Sequence, residues 1–288
     1  MRAESWQRIA ESVADRINGG MEGCIIPHGT DTMGYTSAAL SFMLEDLTRP
    51  VVLVGAQRSS DRPSSDAYTN LLSAARFIVD TDAAEVVVLM HESSSDTTAA
   101  VHRGTKVRKM HTSRRDAFRS INEAPIATVD FEGQIAFHGD HHRRSSGKTI
   151  ARTAMETNVT LLQFYPGMSP TTFGSVLRGS RGAVLAGTGL GHVSSDMVEE
   201  VRKAVAGGTT VVMTSQCLYG MVDMNVYDTG RDLLTAGVIS GGDMLPETAL
   251  VKLMWVLGQK DDESSIRELM TTNLRGELTS RRVQHERA

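Results

Sequence analysis

Residues 50–55, PVVLVG, most limit what this chain of 288 residues can fold into. The run is short, continuous and β-branched, which suits a strand buried on both faces rather than a half-solvated one. Strands of that kind lie in parallel sheets covered by helices on each side, and the flanking residues supply the helices. Residues 5–17 place Trp6, Ile9, Ala10, Val13 and Ile17 on one helical face. GGMEG (19–23) stops that helix, and CIIP (24–27) follows as a short buried strand. Helical patterns run over 33–47 and 67–79, and AEVVVLMH (84–91) is a further strand. Strand and helix alternate three times, which predicts a parallel sheet with helices on both faces.

The pattern then changes. Residues 100–137 carry short alternating runs that predict hairpin or edge strands. Residues 140–158 are charged and rich in Ser and Gly, and read as a connection between two domains. Beyond them VTLLQFYPG, GAVLAGTGLG and TTVVMTSQC read as strands and SSDMVEEVRKAVAGG as a helix. Residues 243–258 predict a strong helix, with Asp243 as its cap and Pro246 in its first turn. Residues 263–272 predict a last, more exposed helix, and the tail 281–288 is expected to fray. The chain is therefore expected to be α/β and two-domained.

Composition excludes several roles. The formal net charge is −4 and the pI about 6.1, so no global electrostatic attraction draws this chain to nucleic acid. Basic residues cluster only locally, in 102–115 and 141–148, where a local anion site and a solvated surface are the two readings. No apolar run approaches the roughly 20 residues that cross a bilayer. The N-terminus is a charged amphipathic pattern with no apolar signal core, which points to the cytoplasm. Cys24 and Cys217 each sit in an apolar setting without CxxC spacing, and are expected to be buried free thiols. His138, Asp140, His141 and His142 match no metal-ligand spacing. His91-Glu92 does not extend to H-E-x-x-H, and GTGLG (187–191) lacks the full dinucleotide fingerprint, so a tight turn is expected there.

The feature that asks for chemistry is HGTDT, residues 28–32, at the end of the CIIP strand. Open parallel sheets bind ligands outside the carboxyl ends of their strands. Thr and Asp are also favoured helix N-caps. Thr32 is the better placed to cap the helix that starts at 33, which leaves Thr30 and Asp31 less well explained by capping. A threonine hydroxyl becomes a nucleophile or proton carrier only beside a base, and a lysine that can shed its proton is one such base. TKVRKMHTSRR supplies Lys106 and Lys109. Strand alternation puts Lys106 and Arg108 on one face and Lys109 on the other. Lys109 can thus point inward, or the whole segment can be an exposed basic hairpin.

HGTDTM with a later RKMHTS lysine resembles the asparaginase and glutaminase amidohydrolases, and the likeness runs from about residue 1 to 258. The strings HRGTKVRKMHTSRRDAF, SQCLYGMVDMNVYDTGRDLLTAGVI and DMLPETALVKLMWVLG most resemble the D subunits of archaeal glutamyl-tRNA(Gln) amidotransferases. The resemblance implies a two-domain asparaginase-like fold, with an N-terminal domain over 1–139, a linker over 140–158 and a smaller α/β domain over 159–288. It implies Thr30, Asp31 and Lys109 as catalytic residues: Thr30 positions or activates the attacking group, Lys109 tunes Thr30, and Asp31 orients both and holds the substrate's ammonium. It implies release of ammonia from asparagine or glutamine, for conversion of Glu-tRNA(Gln) to Gln-tRNA(Gln). No cofactor or metal is expected in this chain, ATP and Mg being used by the partner subunit, which also grips most of the tRNA. A homodimer is expected. A free-standing cytoplasmic L-asparaginase and an inactive truncated scaffold are the alternatives. The family's first threonine stands in a TGGTI strand, and this sequence has none, so the chain is expected to lack that first strand and to be inactive by itself.

Overall fold

The computed structural model describes residues 1–279, and the tail 281–288 lies outside the described residues. The chain divides into two compact units, Met1–Thr153 and Ala154–Ala288. The first begins with α1 (Ala3–Asn18) and β1 (Cys24–Pro27). One 3-10 turn, Thr30–Thr32, leads directly into α2 (Met33–Met43). Then come β2 (Leu44–Glu45), β3 (Val51–Val54), α3 (Ala67–Asp80), β4 (Val86–His91), β5 (Thr98–Arg103), β6 (Val107–Lys109), β7 (Phe118–Ser120), β8 (Ala127–Asp130), β9 (Ile135–Phe137) and β10 (Ile150–Ala151).

The main sheet has the order β1-β3-β4-β5-β8-β9. β1, β3 and β4 are parallel, and from β4 onward the neighbours are antiparallel. Of the alternating runs of residues 100–137, β5, β8 and β9 form the antiparallel half of this sheet, while β6 and β7 make a separate antiparallel pair. Every residue of β3 and β4 is buried, which accounts for their continuous apolar runs. Each such Val or Leu contributes about 1.5–3 kcal/mol by leaving water. On one face Ala74, Phe77 and Ile78 of α3 pack with Val52, Val87 and Leu89 of the strands.

The structure departs from several expectations here. The helix expected over 33–47 ends at Met43, because Leu44 turns to φ −94°, ψ 89° and Leu44–Glu45 pairs antiparallel with Ile150–Ala151. Residues 142–144 also run along the first unit: Ala84 N–H donates to the His142 carbonyl and Arg144 N–H to the Asp82 carbonyl. A partner a hundred residues away leaves no local signal, so β2 reads as a continuation of α2. The thiols differ too: Cys24 is half-buried, and Cys217 is exposed.

The second unit holds β11 (Val159–Gln163), α4 (Pro170–Arg178), β12 (Gly182–Gly187), α5 (Ser195–Ala206), β13 (Thr210–Ser215), α6 (Asp228–Thr235), β14 (Ile239–Ser240), α7 (Pro246–Gln259) and α8 (Glu263–Thr271). Its four strands are parallel in the order β11-β12-β13-β14. α4 and α6 are short and carry no long periodic stripe. The signal for α4 was present in Ser169-Pro170: the serine side chain accepts from Thr172 N–H, and proline occupies the first helical position. GTGLG forms a tight turn, with Thr188 N–H donating to the His192 carbonyl and Gly189 and Gly191 at positive φ.

Asp243 does not cap α7. Leu245 occupies that position, and the Asp243 carboxylate accepts instead from Thr279 N–H and Oγ1. Nearby, Lys252 of α7 and Glu277 are both wholly buried, with Nζ 2.5 Å from Oε1. The Lys252 ammonium also donates to the carbonyls of Met270 and Thr272, while Glu277 accepts from the backbone of Leu274 and Arg275. Burial holds the Lys252 pKa below the ordinary lysine value, against the pull of Glu277. Removing one member of a buried pair strands the other charge, at a cost of about 3–5 kcal/mol. Lys252→Met is therefore expected to lower the urea-unfolding free energy by about that amount, with Lys252→Met/Glu277→Gln recovering much of it. Equal stability of the wild type and the single variant would contradict this account.

Candidate active site

β1 ends at Pro27, and His28 N–H donates to the Val54 carbonyl, so the chain leaves the sheet beside the end of β3. Three contacts hold the exit. His28 Nε2 lies 2.9 Å from Thr36 Oγ1, and Trp6 Nε1 of α1 donates to the same hydroxyl at 2.9 Å. His28 Nδ1 lies 2.6 Å from the Gly29 carbonyl oxygen. The 3-10 turn that follows lies against Gly55. A Cβ there would sit 2.8 Å from the His28 carbonyl oxygen and 2.9 Å from Thr30 Cγ2, so only glycine permits this approach.

Lys109 reaches the turn from the far end of β6. That strand pairs with β7, Lys109 standing opposite Phe118. The turn before β6 is fastened to α2: Ser37 Oγ donates to the Gly104 carbonyl at 2.8 Å. Gly104 has no room for a side chain, because a Cβ would meet the Val86 carbonyl at 2.8 Å and Ser41 Oγ at 2.9 Å. The helix that begins at the HGTDT turn thus also carries the strand that bears the lysine.

The outcome is a three-residue cluster. Lys109 Nζ donates to Thr30 Oγ1 at 2.9 Å and to Asp31 Oδ1 at 2.7 Å. Thr30 is half-buried, the Lys109 side chain is 15% exposed and the Asp31 side chain 91% exposed. Thr32 occupies the N-cap position of α2 but its side chain makes no capping hydrogen bond. Capping therefore does not account for the polar knot at the strand end.

The segment around Lys109 is not a solvated basic hairpin. Lys106 is wholly buried, and Arg108 and Lys109 are partly buried. Lys106 precedes β6 in the turn, so strand alternation does not govern it. The histidines near residue 140 have their own partners: His138 Nε2 lies 2.9 Å from Thr128 Oγ1 and His141 Nε2 lies 2.7 Å from Asp82 Oδ1.

The chemistry of the cluster follows from its hydrogen-bond polarity. An ammonium at Lys109 donates to Thr30 Oγ1, leaving the threonine O–H free to donate elsewhere. A neutral amine reverses the bond and takes the threonine proton, which turns the hydroxyl into a nucleophile or a relay to one. Asp31, 91% exposed, keeps its second carboxylate oxygen as an acceptor for a further donor.

Sequence reasoning missed the scaffold behind these residues. Asp66 is wholly buried and accepts from the N–H groups of Gln57 and Arg58. Asn70 Nδ2 donates to the Gly55 carbonyl at 2.9 Å, and Asn70 Oδ1 lies 2.7 Å from Nδ1 of the buried His91. His91 Nε2 meets Asp96 at 3.0 Å, and His91 and Arg115 together hold the Asp96 carboxyl below the usual carboxylate range. In sequence, DAYTN (66–70) reads only as a helix start.

Comparison with known proteins agrees with this fold. The family "Asparaginase, N-terminal" matches residues 1–143, and "Glutaminase/Asparaginase C-terminal domain" matches 158–270. The thermostable L-asparaginase from Thermococcus kodakarensis superposes with a TM-score of 0.89 and 35% identity, over 98% of this chain and 83% of that one. L-asparaginase I from Vibrio cholerae superposes with a TM-score of 0.87 and 32% identity, over 97% of this chain and 82% of that one. The chain belongs to the asparaginase family. Among curated relatives, the D subunit of the Pyrococcus furiosus glutamyl-tRNA(Gln) amidotransferase is 57% identical over 97% of this chain. Its counterpart in Methanopyrus kandleri is 53% identical over 98%. The chain spans 64% and 63% of the length of these two relatives.

Asp31 gives a direct test of the cluster. The hydrogen bond from Lys109, and next its charge, hold the Asp31 carboxyl below its ordinary value. A carboxyl with a lowered folded pKa keeps its pairing above that ordinary value and loses it as pH falls through the lowered one. In a 13C NMR titration the Asp31 carboxyl should therefore have its midpoint below about 3.9. Lys109→Met should raise that midpoint toward the ordinary value, and identical midpoints in the two proteins would refute the pairing.

Proposed function

We propose that this chain is the amidohydrolase part of a glutamyl-tRNA(Gln) amidotransferase, releasing ammonia from asparagine or glutamine for a partner subunit. The observation that carries the reading is Lys109 Nζ within 2.9 Å of Thr30 Oγ1 and 2.7 Å of Asp31 Oδ1. The identity of 57% to the D subunit of such an amidotransferase supports it over a general asparaginase role. As the attacking hydroxyl or water bonds to the amide carbon, it passes its proton to Thr30, which hands its own to a neutral Lys109. Lys109 gives that proton to the amide nitrogen as the C–N bond breaks and ammonia leaves, while Asp31 steadies the lysine and receives the substrate's α-ammonium. The partner subunit uses ATP and Mg to activate the glutamate and holds most of the tRNA. A homodimer and a cytoplasmic location belong to the same proposal. No helix among the described residues is long and apolar enough to cross a membrane.

A second reading, a free-standing L-asparaginase, is supported by the likeness to the Thermococcus kodakarensis enzyme at 35% identity. Co-purification separates the two: the amidotransferase reading expects a stable complex with the partner subunit and formation of Gln-tRNA(Gln) from Glu-tRNA(Gln). Ammonia release should be measured for this chain alone, with the partner, and in a full-length relative. In whichever form is active, Thr30→Ala and Lys109→Met should each reduce the rate by about 100- to 10,000-fold. Unchanged ammonia release in both variants would exclude the proposed roles.

A further inference from the structure

The loop after β3 and the loop after β6 share a cleft of 510 Å³, lined by Gln57, Arg58, Ser59, Arg62, Ser113 and Arg115. Three guanidiniums line it and no carboxylate does, in a chain whose formal net charge is −4. Arg115 is partly committed, donating to Asp96 at 2.8 Å and to the Ser64 carbonyl. Arg58 and Arg62 are exposed, and the ion pairs found among the described residues include neither of them. Asp66, the buried carboxylate beneath, accepts from the backbone N–H groups of Gln57 and Arg58 and leaves the Arg58 guanidinium uncompensated.

Gln57 adds a second, independent observation. Gln57 lines the cleft, and its Nε2 is buried with no acceptor among the described residues. A buried donor without an oxygen costs about 1–3 kcal/mol, and rotating the side-chain amide toward the cleft would let Nε2 meet an oxygen supplied from outside. The backbone on this wall is held in place by Asp66 and by Ser65 Oγ, which donates to the Arg58 carbonyl. The cleft therefore sets exposed cations on a backbone wall that is held in place.

We propose that this cleft binds phosphate: Arg58 and Arg62 grip the phosphoryl oxygens, with Gln57 Nε2 and the Ser113 hydroxyl completing a ring of donors. One carboxylate saturates a single guanidinium fork, whereas several cations and neutral donors around one space suit a tetrahedral oxyanion. The phosphate can be free or nucleotide-borne, or it can belong to the backbone of an RNA strand. The site does not depend on amide hydrolysis at Thr30, so its test reads binding alone.

The 288-residue chain is titrated with inorganic phosphate by calorimetry, and with a single-stranded 12-nucleotide RNA by fluorescence anisotropy between 50 and 200 mM KCl. Arg58→Ala/Arg62→Ala should weaken whichever probe binds at least tenfold, with an unchanged melting temperature, because neither side chain is buried. Arg58→Lys/Arg62→Lys should fall between, keeping charge and losing the forks. Arg202→Ala, on α5, should bind as the wild type does. Phosphate binding without RNA binding assigns the free anion. RNA binding that phosphate displaces, with a salt slope about 1–2 units shallower in the double alanine variant, assigns a backbone phosphodiester. Failure of both probes to bind, or equal binding by wild type and the double alanine variant, overturns the proposal.

Discussion

The hydrogen bond from Lys109 to Thr30 joins two chain segments 79 residues apart, and much of the first unit is arranged to permit it. Thr30 stands where it does because β1 ends beside β3 and Gly55 leaves room for the turn. Lys109 stands where it does because the turn at Gly104 packs directly on α2. Both partners are thus referred to one helix. That geometry places a lysine ammonium between a hydroxyl and a carboxylate.

The two glycines work by absence. At Gly55 and Gly104 backbone passes close to backbone, so an added methyl would meet the carbonyl oxygens of His28 and Val86, which cannot swing aside as a side chain can. The constraint is one of volume rather than of dihedral freedom, since neither glycine has positive φ. Buried polar contacts then finish the placement. Asp66 and Asn70 tie down the loop after β3 through its own N–H and carbonyl groups, which would otherwise go unpaired where water is excluded.

Much of this was legible in the chain. The all-apolar runs at 51–54 and 86–91 require strands with both faces covered, and both are so covered. Thr30 and Asp31 stood out because a polar knot at a strand end exceeds what one cap needs, and no side chain of the knot caps α2. Lys109 was legible only as one of two options, and burial of Lys106 shows why alternation alone could not decide: that residue lies in a turn. What stayed hidden depends on distant pairing. Leu44–Glu45 continues a helical pattern until Ile150–Ala151 offers it hydrogen bonds. Gly55 looks like a strand stop until Thr30 is beside it, and Asn70 looks like a helix surface residue until His91 is found behind it.

The contacts of His28 also fix where a single hydrogen sits. A carbonyl oxygen can only accept, so the Nδ1 atom facing Gly29 must carry the hydrogen. In a neutral imidazole the opposite nitrogen is then bare, and it takes the hydroxyl hydrogen of Thr36. The indole of Trp6, a donor alone, supplies that hydroxyl in turn. With that tautomer, donation runs one way, from the first helix through two side chains to the peptide just ahead of Thr30. The tautomer at the mouth of the sheet is chosen by the carbonyl of the residue that follows the histidine.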